Sequence, residues 1–249
     1  MSLAKQNLAQ HAMPGATPSS SISSGAPDVW VVVPAYNEAL RLDATLAALG
    51  SHYRNVVVVD DGSTDATRTV AMGHGVWHLR HLFNCGQGAA LQTGIDFALR
   101  QGARIVVTFD ADGQHQVEDV ARLLAPIRAG RADIALGSRF LGSAPGLPWS
   151  RWLMLKLGVL FTRLFSGLPV TDTHNGLRAF SHDAAARIRI TLAGMAHASE
   201  IIEQIRQHRL RWCEVPVTIR YDEETLNKGQ SSWNGLRIVA RLVMGRIVR

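Results

Sequence analysis

Five short apolar runs recur along this chain, separated by stretches with helical spacing, and that alternation restricts the fold more than any other feature. The runs cover residues 28–33, 55–59, 76–81, 104–109 and 132–136, the third being the weakest. The first, second, fourth and fifth lack the in-out alternation of a strand with one wet face. Strands buried on both faces read this way, and they belong to sheets covered by helices on either side. Residues 39–49, 87–101 and 117–128 supply such helices: Leu42, Leu46 and Leu49 share one side of the first, and Ala90, Leu91, Ile95, Ala98 and Leu99 one side of the second. The pattern predicts an α/β fold with a mostly parallel sheet.

In such sheets ligands bind outside the carboxyl ends of the strands. Four polar motifs fall there: Tyr36-Asn37-Glu38 after the first strand, Asp60-Asp61 after the second, Asp110-Ala111-Asp112 after the fourth and Gly137-Ser138-Arg139 after the fifth. Residues two apart in an extended chain share a face, so Asp110 and Asp112 can converge on one cation. Hard ions such as Mg²⁺ take a few carboxylate oxygens and complete their shell with substrate phosphates. The competing reading makes Asp110 or Asp112 the N-cap of the next helix, with Gly113 in the turn. The coincidence of four loops favours a metal and nucleotide site.

Beyond Arg139 the character changes. A Gly/Pro-rich loop at 142–148 precedes an apolar stretch, 149–168, that carries Arg151, Lys156 and Arg163. It suits a helix lying in a membrane interface with basic side chains snorkelling, or equally a helix packed on the domain. A polar loop at 172–178 leads to a short strand, followed by a helix at 197–208, a strand at 211–220 and a basic amphipathic helix over 231–249. Residues 1–27 are rich in Ser, Ala, Gly and Pro and read as a disordered tail without a signal-peptide core, leaving 28–230 as the domain. A net charge of +6 points to anionic partners. No basic stripe interleaved with aromatics and no nucleic-acid motif is present, so nucleic acid is not expected among them. No apolar run reaches the length of a membrane span. Two cysteines, Cys85 and Cys213, fit a reducing cytoplasm.

The motifs together resemble the inverting nucleotide-sugar glycosyltransferases of family 2, whose fold is called GT-A. The branch most similar is that of dolichol-phosphate mannose synthase and the polyprenyl-phosphate glycosyltransferases. Pro34-Ala35-Tyr36-Asn37-Glu38, Asp60-Asp61-Gly62-Ser63, Asn84-Cys85-Gly86-Gln87-Gly88-Ala89-Ala90, Asp110-Ala111-Asp112-Gly113-Gln114, Gly137-Ser138-Arg139, and Asp172 with Gly176-Leu177-Arg178 occur in the family's order.

The resemblance implies that Pro34, Tyr36 and Glu38 line a pocket for a GDP- or UDP-linked sugar, and that Asp61, with Asp60, contacts the base or ribose. Asp110 and Asp112 would hold Mg²⁺ or Mn²⁺, with Gln114 beside them. Arg139 and Arg151 would bind the phosphate of a polyprenyl-phosphate acceptor, and Lys228 in the segment 227–232 would reach the diphosphate. An acceptor already anionic needs little help from a base, whereas a saccharide or protein hydroxyl would require one; Asp172 and Glu200 are the candidates. Gln204, Arg211 and Trp212 do not reproduce the spacing of the processive polysaccharide synthases. The resemblance thus implies a peripheral enzyme at the cytoplasmic face of a membrane, with a membrane-anchor protein as a possible partner. The alternatives are transfer to a hydroxyl acceptor, and a non-catalytic nucleotide-sugar or nucleic-acid binding module.

Overall fold

The computed structural model describes residues 28–192 and 196–221. The expected tail at 1–27, Lys228 and the expected helix at 231–249 lie outside the described residues. Seven strands form one sheet in the order β3-β2-β1-β4-β6-β5-β7. They are β1 (Val29–Ala35), β2 (Asn55–Asp60), β3 (Trp77–Arg80), β4 (Ile105–Thr108), β5 (Ile134–Ser143), β6 (Arg178–Ser181) and β7 (Trp212–Thr218). The helices are α1 (Ala39–Gly50), α2 (Thr67–Gly73), α3 (Gln87–Arg100), α4 (Glu118–Arg128), α5 (Trp149–Ser166), α6 (His182–Arg187) and α7 (Ala196–Gln207). Pairings β1–β2, β2–β3, β1–β4 and β5–β7 are parallel.

The apolar runs are two-sided because successive residues feed two cores. Val29, Val31 and Val33 pack with Leu42, Leu46, Leu123 and Val120 from α1 and α4. Trp30 and Val32 face the other way, towards Ala90, Leu91, Ile95 and Ala98 of α3 and Ile201 and Ile205 of α7.

β1 continues past the expected stop at Pro34. Pro34 pairs in register with Val59 of β2, while the β1–β4 ladder ends at Val32 and Thr108. Val32 and Pro34 aim their backbone groups to the same side, so the missing N–H of Pro34 falls where no ladder bond is due. β5 also overruns, and Gly137-Ser138-Arg139 lies inside it because β7 runs alongside as far as Ser143↔Thr218. α2 starts from Ala66 without a side-chain cap, while Asp65 Oδ1 accepts from the N–H of Thr67 at 2.9 Å. Ser63 and Thr64 bond Asn37, fastening the loop after β2 to the loop after β1.

The short strand expected after the 172–178 loop is β6, and it runs antiparallel between β4 and β5. α5 and the loop behind it return the chain to the carboxyl end of the sheet, so the next strand must enter there and run backwards. This places residues 172–177 beside the other functional loops.

α3 lies flat on the sheet at Gly94, where an added Cβ would sit 2.3 Å from Cγ1 of Val32 and 3.1 Å from Cγ2 of Val59. Both valines are fully buried and have nowhere to retreat. Gly94→Ala gains about 1 kcal/mol of helix propensity but overpacks this contact, and a net loss of about 1–3 kcal/mol is expected in urea unfolding.

Candidate active site

The carboxyl ends of the strands open into a cleft of about 890 Å³. Pro34, Tyr36, Glu38 and Asp61 line it from β1 and β2, Asp110, Asp112 and Gln114 from the loop after β4, and Arg139 and Arg151 from β5 and α5. Nine of the residues singled out in the sequence therefore share one wall-to-wall site.

Asp110 is held from two segments. Its Oδ1 accepts from Gln87 Nε2 at 2.9 Å, and its Oδ2 lies 3.1 Å from His115 Nε2. An added Cβ on Gly176 would come within 1.9 Å of Oδ2, so the loop can close over this carboxylate only with a glycine. Burial would raise the Asp110 pKa, but the His115 hydrogen bond and the positive charges of His115, Arg178 and His197 hold it below the usual carboxylate range. Asp112 moves the other way: burial and the adjacent Asp110 charge push it up, against His115 and the Gln114 N–H, which donates to Oδ1 at 3.1 Å. Two carboxylates whose affinities for protons are driven apart by proximity make a suitable seat for a divalent cation, which relieves that repulsion. The helix-cap reading of Asp112 does not hold, because α4 begins after Val117, without a side-chain cap.

Asp61 and Asp60 separate cleanly. The Asp61 carboxylate, at the cleft wall, accepts from the N–H groups of Cys85 and Gly86 at 2.9 and 2.7 Å and lies 2.7 Å from His81 Nδ1. It therefore shapes the 84–87 loop. Asp60 is fully buried behind the wall, where it accepts from the Ser63 N–H at 2.8 Å and faces Arg80 at 3.4 Å. Expected beside the nucleotide, Asp60 is a turn anchor, since neighbouring residues at a strand end point to opposite sides.

At the opposite end, the Arg139 backbone N–H and Nε both donate to Asp172 Oδ2, at 3.0 and 2.6 Å, and its Nη1 donates to the Tyr221 hydroxyl. Burial lowers the Arg139 pKa, but Asp172 and Tyr221 more than restore it and hold the guanidinium charged. Arg151 lies over the same Tyr221 ring, 5.1 Å from its centroid. Asp172, expected as a catalytic group, is thus turned to Arg139 and is absent from the cleft wall. Glu200, the other candidate base, is occupied as a backbone clamp, accepting from Thr191 and Leu192 N–H groups at 3.0–3.1 Å.

Further side chains on the cleft wall, without a role from sequence, include Gln87, His115, His174, Arg178 and His197. Gln87 and Arg178 stood inside quoted motifs, and His115 one residue past another, so position in a motif was the available signal. Arg178 opens β6 opposite Thr108, with one hydrogen bond from Nη2 to Thr173 O at 3.2 Å and a buried, unpartnered Nη1. Burial brings its pKa down to about 10, against Asp110 and Asp172, which leaves it cationic at neutral pH.

Residues 30–189 match the family described as Glycosyl transferase family 2. The chain belongs to that family. It is 32% identical over 239 residues to the UDP-N-acetylglucosamine–dolichyl-phosphate N-acetylglucosaminyltransferase of Methanococcus voltae, covering 87% of this chain and 95% of that protein. To the polyprenol monophosphomannose synthase of Mycolicibacterium smegmatis it is 30% identical over 222 residues, covering 83% and 82%. Among solved structures, glucosyl-3-phosphoglycerate synthase of Mycobacterium tuberculosis, in complex with Mn²⁺, UDP and glucosyl-3-phosphoglycerate, aligns with a TM-score of 0.66 at 19% identity. That alignment covers 87% of this chain and 78% of the other. The family 2 glycosyltransferase fold, GT-A, is the one built here.

Burial, with Arg139, Arg178 and His197, pushes the His174 pKa down to about 4, against the pull of Asp172. The folded state therefore keeps His174 neutral while the unfolded chain takes up a proton near pH 6.5. Stability from this group is complete above about 6.5, is lost as pH falls towards about 4, and then levels off, at no more than about 1.4 kcal/mol per pH unit. Urea unfolding across this window should show a slope one proton shallower in His174→Asn than in the wild type.

Proposed function

We propose that this family 2 glycosyltransferase is an inverting, metal-dependent hexosyltransferase that moves a sugar from a GDP- or UDP-linked donor to a polyprenyl phosphate. The observation that carries the acceptor is the presence of three arginines, Arg139, Arg151 and Arg178, on the cleft wall. An anionic acceptor is what such a wall attracts. The names of the two relatives, both acting on lipid-linked phosphates, support the same acceptor.

Asp110 and Asp112 would hold the cation, with Gln114 beside them. Mg²⁺ and Mn²⁺ both suit a hard oxygen donor set; the Mn²⁺ in the mycobacterial neighbour supports a divalent ion. When bound, the ion stabilises charge on the departing nucleoside diphosphate as a Lewis acid. The chain's own groups do the rest. Gln87 and His115 fix the Asp110 carboxylate, Asp61 sets the loop that walls the nucleotide end, and Asp172 with Tyr221 holds Arg139 in a single orientation. A phosphate oxygen is ionised at neutral pH, so positioning and charge stabilisation suffice without a base. That agrees with the engagement of Asp172 and Glu200 elsewhere. Attack from the face opposite the nucleotide inverts the anomeric carbon.

Lys228 is assigned here to the diphosphate as a point charge. A membrane surface, with or without an anchor protein, would present the acceptor on the cytoplasmic side. α5 supports this reading: Trp149, Leu153, Leu157, Leu160 and Leu164 are all exposed and recur at helical spacing along one stripe. Arg151 lies on the same helix, and Lys156 Nζ sits 3.7 Å above the Phe140 ring. No helix among the described residues is long and apolar enough to cross a membrane.

Two measurements test the reading. Label from nucleotide sugars should pass into an organic-extractable product when a polyprenyl phosphate and Mg²⁺ or Mn²⁺ are supplied, and Asp112→Asn should abolish this. Arg151→Gln should raise the KM for the lipid phosphate about 10- to 100-fold, the weight of a charge-assisted hydrogen bond, while donor hydrolysis continues. An empty organic phase with donor hydrolysed would shift the acceptor to a hydroxyl. Separately, Leu153→Ser with Leu157→Ser and Leu160→Ser should weaken co-sedimentation with anionic vesicles at least about tenfold and leave donor hydrolysis intact.

A further inference from the structure

The nucleotide end of the cleft contains a second set of metal-ligating side chains, unlike the first in chemistry. A carboxylate oxygen of Asp61, a ring nitrogen of His81 and Sγ of Cys85 all lie within 4.8 Å of one another. They come from the ends of β2 and β3 and from the loop before α3. We infer that Asp61, His81 and Cys85 form a binding site for a soft divalent ion of the Zn²⁺ type, in the wall of the cleft.

The donor set discriminates. Oxygen ligands alone, as at Asp110 and Asp112, suit Mg²⁺ and Mn²⁺, whereas thiolate with imidazole selects Zn²⁺ or Co²⁺. Three protein ligands leave the fourth tetrahedral position open towards the cleft, where water can occupy it.

The surroundings supply what such a site needs. His81 Nδ1 faces Asp61 at 2.7 Å and Nε2 lies 3.0 Å from Thr93 Oγ1. Liganded through Nδ1, the ring would carry its proton on Nε2 and donate it to the threonine hydroxyl, the outer contact that fixes a metal-bound histidine. Asp61 remains pinned by the N–H groups of Cys85 and Gly86 at 2.9 and 2.7 Å. The Cys85 side chain is exposed and makes only a 3.4 Å contact with the Phe83 carbonyl. Tetrahedral zinc spaces its ligand atoms about 3.5 Å apart, so binding draws the Cys85 thiolate inwards and opens the 2.7 Å pair of His81 and Asp61. Binding releases the thiol proton, and the Nδ1 proton where the ring carries one, to solvent, with no change of oxidation state.

The consequence for the enzyme rests on the proposed function. If Asp61 also takes the base or ribose contact that the family resemblance implies, it cannot serve a nucleotide and a soft ion at once, so the two ligands exclude each other, and zinc becomes an inhibitor competitive with the sugar donor.

Co²⁺ added to the full-length protein reports the site directly, because thiolate ligation gives a near-ultraviolet charge-transfer band that oxygen ligation at Asp110 and Asp112 does not. The expected result is a band that Zn²⁺ abolishes, that disappears in Cys85→Ala, that persists in Cys213→Ala, and whose Co²⁺ affinity falls at least about tenfold in His81→Gln. No band in the wild type, or a band retained in Cys85→Ala, overturns the site. UDP or GDP with excess Mg²⁺ should then remove the band. A band that survives while equilibrium dialysis shows the nucleotide bound overturns the exclusion. Neither nucleotide binding at all, with the band intact, leaves the metal site standing and removes the proposed function instead.

Discussion

A carboxylate withdrawn from water must be given hydrogen-bond donors, and the donors that Asp110 requires draw together most of the catalytic end of this molecule. Gln87 comes from the start of α3, His115 from beyond the turn after β4, and Gly176 gives up its side chain so that the following loop can close over the group. The same rule repeats at smaller scale. Asp61 gathers the 84–86 backbone, Asp60 the Ser63 turn, and Asp172 the arginine of β5. Asp110, Asp61 and Asp172 join segments 23, 24 and 33 positions apart, so the cleft is held by buried polar bonds where its apolar cores stop.

That organisation also brings both charges to one cleft. The acids Glu38, Asp61, Asp110 and Asp112 share its wall with Arg139, Arg151 and Arg178, and the Arg178 charge reaches Asp110. Tyr221 serves both of the arginines first expected at the acceptor, accepting from Arg139 through its hydroxyl and meeting Arg151 through its ring face.

Much of this was legible in the sequence, for identifiable reasons. Valine-rich runs such as residues 29–33 and 56–59 betray burial on both faces without any knowledge of their partners, and the loops that follow them inherit a common edge. Less was legible where the outcome depends on long-range pairing. Four residues of β6 carry too little pattern to reveal that they run against their neighbours. The choice between Asp60 and Asp61 turns on which way one peptide faces. The partnership of Arg139 with Asp172 spans 33 positions, and it changes an expected catalytic acid into the support of an expected binding group. α6 begins at Ser181, whose hydroxyl accepts from the N–H of Ala184 at 3.3 Å; that serine was a readable start signal, obscured because the helix itself is so short.

The antiparallel insertion of β6 has a bearing on how the chain reaches its final state. β1, β2, β3 and one edge of β4 find their partners among themselves, so that half of the sheet can assemble while the chain is still leaving the ribosome. β5 cannot: it pairs only with β6 and β7, both made later. Until residue 181 has emerged, a long strand with fully buried Ile134 and Ala135 waits with both edges open, and its β7 edge stays open until residue 218 has followed; pairings of such sequence separation form slowly. The interval during which this strand is unaccompanied is when the nascent protein is most exposed to pairing with another chain.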